Sequence, residues 1–436
     1  MAKQTFQAPS GTRDFYPVEL LRRRYVEKLW RDTSIRHGFA EIDGPTFEHL
    51  DLYTVKSGEG IVSELFSFKR DGGEKDFALR PEFTPTLARL YAAKANALPK
   101  PTKWFWQQTC FRAERPQRGR LREFMQWNCD ILGEQSPRVD ADAIAVAVDL
   151  LIAAGFKPGQ ISVKIGSRAV ACEILKSLGV AATDEALQQA LVALDKAAKL
   201  RPEDFEAECG KAGFSGSAYR ERARAIESGF ATGSTEASRV DVSSIAALRT
   251  ELAALGIADW CTLDLNIARG LAYYTGIVFE VIVDGERAVA GGGRYDNLIE
   301  LVGGPATPAI GFGMGDVVLA LVLQDKGLMP SDDELLDLLS APSASYRPQA
   351  FVIAANDAAD AGVRPLVAQL RRAGMHARSS SKTTRNVGKL LQDAAAQKSH
   401  RAVILETADT GKIKDLTTQV ESALMPVADI VATLRI

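Results

Sequence analysis

Between Val18 and His37 the chain reads VELLRRRYVEKLWRDTSIRH, apolar residues recurring at helical spacing among charged ones, and Gly38 follows. That pattern predicts a helix ended by the glycine. The next stretch, FAEIDGPTFEHLDLY, reads as a strand interrupted by Pro45. From about Glu64 to Gly133 aromatic and β-branched residues are frequent, which predicts antiparallel strands with one helix near residues 85–95. Residues 140–155, DADAIAVAVDLLIAAG, have the period of an amphipathic helix.

The pattern changes over residues 168–255, where Ala, Leu, Glu and Lys recur at helical spacing between turn clusters such as GFSGS. A helical insertion over about residues 170–250 is expected. Strand patterns return at CTLDLNIARGLAYYTGIVFEVIVDG and run through AVAGGGRYDNLIELVGG to AIGFGMGDVVLALVLQDKG. Two stretches of one antiparallel sheet flanking a helical insert is the economical reading, giving an α+β domain over residues 1–330. PSDDELLDLLSAPSASYRPQ then reads as a linker, residues 331–347. The β-α-β-α-β alternation from QAFVIAAN to RAVILE predicts a separate α/β domain over 348–436.

Composition narrows the class. A chain of 436 residues is too long for one ordinary core. Hydrophobic residues at 46% and charged residues at 25% suit a soluble globular protein. No apolar run reaches membrane-span length and the start lacks a signal core, so a cytoplasmic protein with no membrane partner is expected. The five cysteines are dispersed, as are the four histidines, which argues for reduced thiols and against a structural zinc site. The net charge of −2 gives no global field for nucleic acid, but from Tyr346 onward 13 Lys and Arg oppose 8 Asp and Glu. That basic C-terminal part, on an otherwise acidic body, hints at an anionic partner.

The chemistry concentrates in a few stretches. CFRAERPQRGRLREFMQW, Cys110–Trp127, holds five arginines between two apolar, aromatic flanks. It reads either as a solvated hairpin or as a phosphate site, because Arg112 and Arg122 fall at the sheet end, where a guanidinium needs a partner. The planar fork binds oxyanions bidentately. In ALRPEFTPTLARL, Thr84 could cap a helix with Glu82 near its positive end, or both could bind a substrate ammonium. In DLNIARGLAYYTG, Arg269-Gly270 interrupts an apolar strand as a bulge beside core tyrosines, or points an arginine into a cleft. The alternate glycines of GFGMG would leave a flat floor on one face of a strand, where a planar ring could rest.

Taken together, GTRDFYP, LRPEFTPTLARL, CFRAERPQRGRLREFMQ, ARGLAYYTGIVFE and GGGRYDNLIELVGG resemble the histidyl-tRNA synthetases, which are class II aminoacyl-tRNA synthetases. The resemblance implies an antiparallel catalytic sheet with flanking helices, the helical insertion and a C-terminal anticodon-binding α/β domain. It implies L-histidine, ATP with Mg2+ and tRNA(His) as substrates, no resident metal site, and a homodimer formed through GFAEIDGPTFE. Carried over residue by residue, Arg112 and Arg269 would be the catalytic pair at the α-phosphate. Arg112, Glu114, Arg120 and Arg122 would bind ATP. Glu82, Thr84, Gln126, Asp130, Tyr273 and Tyr274 would bind histidine. The sequence departs from the family at Val318, where class II enzymes usually carry an arginine that stacks on adenine. Arg294 is a candidate substitute. Ala272 and Asp130 stand where many relatives carry a carboxylate and a glutamate. The competing reading is a histidine-sensing regulatory subunit of an ATP phosphoribosyltransferase. Such paralogues generally lack the C-terminal domain and part of the arginine set, and both are present here.

Overall fold

A computed structural model of the chain describes residues 6–57, 59–196, 200–232, 242–267, 274–283, 288–341 and 344–435. The chain divides into two compact units, Met1–Asp14 with Val26–Leu328, and Phe15–Tyr25 with Met329–Ile436. Residues 15–25 therefore group with the C-terminal unit, which the hydrophobic pattern does not reveal.

The larger unit is built on an eight-stranded sheet. Its strand order is Ala40–Glu41, Thr102–Phe111, Glu123–Leu132, Ala309–Gly315, Ala288–Arg294, Ile277–Val283, Ile161–Ser167 and Cys261–Leu263. The six central strands are antiparallel; the short outermost strands join in parallel. Strands of two or three residues are too short to leave an alternation signal, so a central sheet is readable and its edges are not. The sheet buries large aromatics. Trp30 of helix Pro17–Arg36 stacks on Trp127 with ring centroids 6.1 Å apart, and the Trp127 indole donates to Ser34 Oγ at 2.9 Å. Helix Pro137–Ala153 is mostly buried; Ser136 caps it through the Val139 N–H and Pro137 opens it. Among its described residues the insertion forms five helices, Arg168–Ser177, Asp184–Asp195, Pro202–Lys211, Gly216–Thr232 and Ser243–Ala254. A separate three-stranded sheet joins Phe47–His49, Asp76–Leu79 and Ser67–Lys69.

The C-terminal unit has a five-stranded sheet in the order Ala377–Ser379, Ala350–Ala354, Arg401–Leu405, Thr410–Asp415, Met425–Pro426. The first three strands are parallel, as the alternation predicts, and the last two add on antiparallel. The expected linker contains a helix: Asp332–Leu338 opens with a reciprocal capping box between Ser331 and Glu334. Among the described residues no helix is long and apolar enough to cross a membrane.

Candidate active site

The arginine-rich stretch is a hairpin whose strands, Thr102–Phe111 and Glu123–Leu132, pair along their full ten-residue length. At its mouth the Arg112 N–H donates to the Arg122 carbonyl at 2.9 Å. The tip closes through reciprocal Gln117–Arg120 backbone bonds, and Gly119 takes the positive φ, +77°, that the turn needs. The N-terminal GTR segment braces the base. The Gly11 carbonyl accepts from the N–H groups of Arg122 and Glu123 at 2.9 and 3.2 Å. Arg13 pairs with buried Asp316 at 2.7 Å, and the other Asp316 oxygen accepts from the Met125 N–H at 2.9 Å.

Above the sheet lies a cavity of about 1420 Å³. Its lining brings together Glu82, Thr84, Arg112, Arg120, Gln126, Asp130 and Tyr274, seven of the residues singled out in the sequence. Arg112 is partly buried; its Nε donates to the Pro81 carbonyl at 3.2 Å, and its guanidinium lies over the Phe124 ring, 4.9 Å from the centroid. Thr84 is not the cap: Phe83 occupies that position and Thr84 is the first residue of helix Thr84–Ala92, buried at the cavity wall. Glu114 and Arg122 do not line the cavity. Glu114 pairs with Arg120 at 2.6 Å, and Arg122 Nε donates to the Glu114 carbonyl at 3.1 Å. Arg122 thus ties the hairpin together. Arg269 and Tyr273 lie outside the described residues.

The glycines of GFGMG have a different use from an open floor. Strand Ala309–Gly315 pairs with Glu123–Leu132 so that Gly311 faces Asp130 and Gly315 faces Gln126. A Cβ on Gly311 would fall 1.9 Å from Asp130 Oδ1, and one on Gly313 would fall 2.6 Å from Gln126 Nε2. The space is filled by these two side chains. Gln126 Nε2 in turn donates to Asn128 Oδ1 at 2.9 Å.

Tyr295 was missed from the sequence. It is 2% exposed, lines the cavity and donates to Asp130 Oδ1 at 2.5 Å. Burial, with the carboxylates of Glu82, Asp130 and Glu280 nearby, raises the Tyr274 phenol well above its usual range, so it stays protonated.

Arg294, the candidate substitute for the missing third-motif arginine, points elsewhere. It is buried, pairs with Asp140 at 2.7 Å, and donates to the carbonyls of Glu134 and Ser136. Burial pushes the Asp140 carboxyl up to about 6, with the guanidinium pulling the other way. Removing one partner strands a buried charge. Arg294→Ala is therefore expected to cost roughly 3–5 kcal/mol in a urea denaturation series, with the KM for ATP unchanged. Val318 lines the cavity and packs on the hairpin turn; a Cβ on Gly119 would sit 3.2 Å from its Cγ2.

An antiparallel sheet that carries an arginine hairpin beside an amide and carboxylate pocket is the arrangement that the resemblance to class II aminoacyl-tRNA synthetases implies. A family profile described as histidyl-tRNA synthetase matches residues 11–316. The chain is 38% identical to a histidine–tRNA ligase of Opitutus terrae, covering 83% of this chain and 84% of that one. It is 37% identical to that of Pyrococcus abyssi, covering 84% and 83%. The chain belongs to the histidyl-tRNA synthetase family. Its fold matches the crystal structure of histidyl-tRNA synthetase from a Nostoc species, with a TM-score of 0.75, 22% identity and 99% of each chain covered. It also matches an ATP phosphoribosyltransferase regulatory subunit/histidyl-tRNA synthetase from Bacillus halodurans, with a TM-score of 0.67, 20% identity and coverage of 93% and 100%.

Proposed function

We propose that this chain activates L-histidine with ATP and transfers it to the 3′ end of tRNA(His), and that the cavity around Arg112 performs both steps. The observation that carries the reading is the convergence of one partly buried guanidinium with Glu82, Asp130, Tyr274 and Tyr295 on one cavity. In the first step the histidine carboxylate attacks the α-phosphorus of ATP, which enters as its Mg2+ complex. A P–O bond forms to the carboxylate, the bond to the leaving pyrophosphate breaks, and histidyl-adenylate results. Negative charge grows on the phosphoryl oxygens, where Arg112 acts, and the family resemblance assigns the same task to Arg269. Arg120 serves the nucleotide from the hairpin tip.

Glu82 and Thr84 hold the ammonium group and Gln126 orients the amino acid. Asp130 and Tyr274 offer the imidazole an acceptor and a donor, and the family resemblance adds Tyr273 to the histidine-binding set. An amino acid that leaves these buried groups unpaired is penalised, so selection needs no editing. In the second step a hydroxyl of the tRNA's terminal ribose attacks the acyl carbon, an ester forms and AMP leaves. The basic module over 348–436 is the anticodon-binding part, and the protein works in the cytoplasm. The test is charging of tRNA by the full chain: histidine and ATP together yield histidyl-tRNA, and no charging despite histidine binding would contradict the reading.

The working form is a homodimer. Supporting this, Phe47 and Phe68 on the three-stranded sheet are 49% and 45% exposed and cluster with Phe77 at ring distances below 6 Å. An exposed aromatic patch of this kind favours a protein contact. Phe47→Glu with Phe68→Glu should halve the mass seen by sedimentation equilibrium. An unchanged mass would remove this face from the interface.

A further inference from the structure

The cavity floor extends beyond the amino-acid and nucleotide side chains. Asn128, Gly313, Gly291, Glu280 and Lys164 are register partners on successive strands, and all line the cavity. Four strand spacings of about 4.8 Å make this row about 19 Å long. At its centre a Cβ on Gly291 would meet nothing closer than 3.7 Å, so the fold does not require that glycine, yet it keeps the floor low.

Helix Gly216–Thr232 walls the far end. Two bonds fix it to a single residue: the Tyr219 hydroxyl donates to the Leu265 carbonyl, and a Glu227 carboxylate oxygen accepts from the Leu265 N–H, both at 2.8 Å. Between these anchors Arg220 and Arg224, one turn apart, reach the cavity. Arg220 lies over Phe205, 4.2 Å from its centroid. Lys164 is already paired with Asp264 at 3.1 Å. Among the described residues neither arginine has a carboxylate at ion-pair distance. The cavity, at about 1420 Å³, exceeds the roughly 300–1,000 Å³ of a site for one small ligand.

We propose, resting on the ligase reading above, that Arg220 and Arg224 form a phosphate-binding wall at the insertion end of this trough. Guanidiniums on a fixed helix, with Glu206 and Glu227 near enough to interact but outside ion-pair distance, remain ready donors to phosphoryl oxygens. Two substrates carry such oxygens: the triphosphate of ATP and the backbone of the tRNA's single-stranded 3′ end. Arg112 follows strand Thr102–Phe111, which pairs with the strand at the opposite, Asn128 end of the row, and that placement favours the RNA.

The test compares the full chain with Arg220→Ala/Arg224→Ala and with Arg224→Glu alone, an exposed change that leaves the Phe205 contact in place. Exchange of pyrophosphate into ATP gives the KM for ATP and histidine; charging at several salt concentrations gives the KM for tRNA. The expected result is a rise of about tenfold or more in the KM for tRNA, a salt slope reduced by about one per lost contact, and unchanged exchange. A rise in the KM for ATP instead assigns the wall to the triphosphate. If neither KM moves in either variant, the wall is overturned. A wild type inactive in exchange sinks the ligase reading, whereas an active wild type indifferent to both changes sinks only the wall.

Discussion

Arg112→Ala should lower histidine-dependent ATP–pyrophosphate exchange by roughly 10²–10³-fold while the protein stays folded. The size follows from where charge appears. A fixed donor aimed at an oxyanion acts on the transition state more than on bound substrate. The structural role of Arg112 is small by comparison. Its Nε bond to the Pro81 carbonyl at 3.2 Å and its position over Phe124 are worth about 1 kcal/mol each. The loss should therefore fall on kcat, with the KM for histidine within a few-fold. Arg112→Lys should recover little of it, because an ammonium cannot present two parallel donors to a phosphoryl group. A stability loss large enough to explain the fall, seen by urea denaturation, would contradict this assignment.

Gly311→Ala should be at least as damaging although it adds one methyl group. The new carbon would lie 1.9 Å from Asp130 Oδ1 and 2.9 Å from the Cys129 carbonyl oxygen. Two bonded strands fix both backbones, so the carboxylate must swing away and lose its bond to Tyr295. Once the imidazole loses its acceptor, kcat/KM for histidine should fall by about 10²–10⁴-fold. The KM for ATP should hold. Asp130→Ala should show the same loss, and the double variant should be no worse than either, since both remove one interaction. Independent, additive losses in a double-mutant cycle would show that the glycine serves the backbone alone.

Much of the site was legible because its chemistry is local. Arg112, Glu82, Thr84, Gln126 and Asp130 lie in contiguous motifs beside strand and helix patterns strong enough to place them. Three features were not legible, each for a geometric reason. The glycines of GFGMG read as open space, because only the pairing register shows that Asp130 and Gln126 fill it. Arg294 ends strand Ala288–Arg294 and Tyr295 follows it, and the two adjacent side chains leave in different directions. The arginine goes to buried Asp140 and the tyrosine to the cavity, the reverse of what charge alone suggests. Asp316 looks like a helix-start acid, yet its partners Arg13 and Met125 are distant in sequence. In each case a contact between remote segments decides the role, and a period of two or 3.6 carries no information about it.

The most direct test of the central claim is ATP–pyrophosphate exchange by the purified full chain, with histidine and with a panel of other amino acids supplied one at a time. The account predicts exchange with histidine alone, since only its ring satisfies both Asp130 and Tyr274. No exchange with histidine, or equal exchange with an amino acid lacking a ring nitrogen, would contradict it.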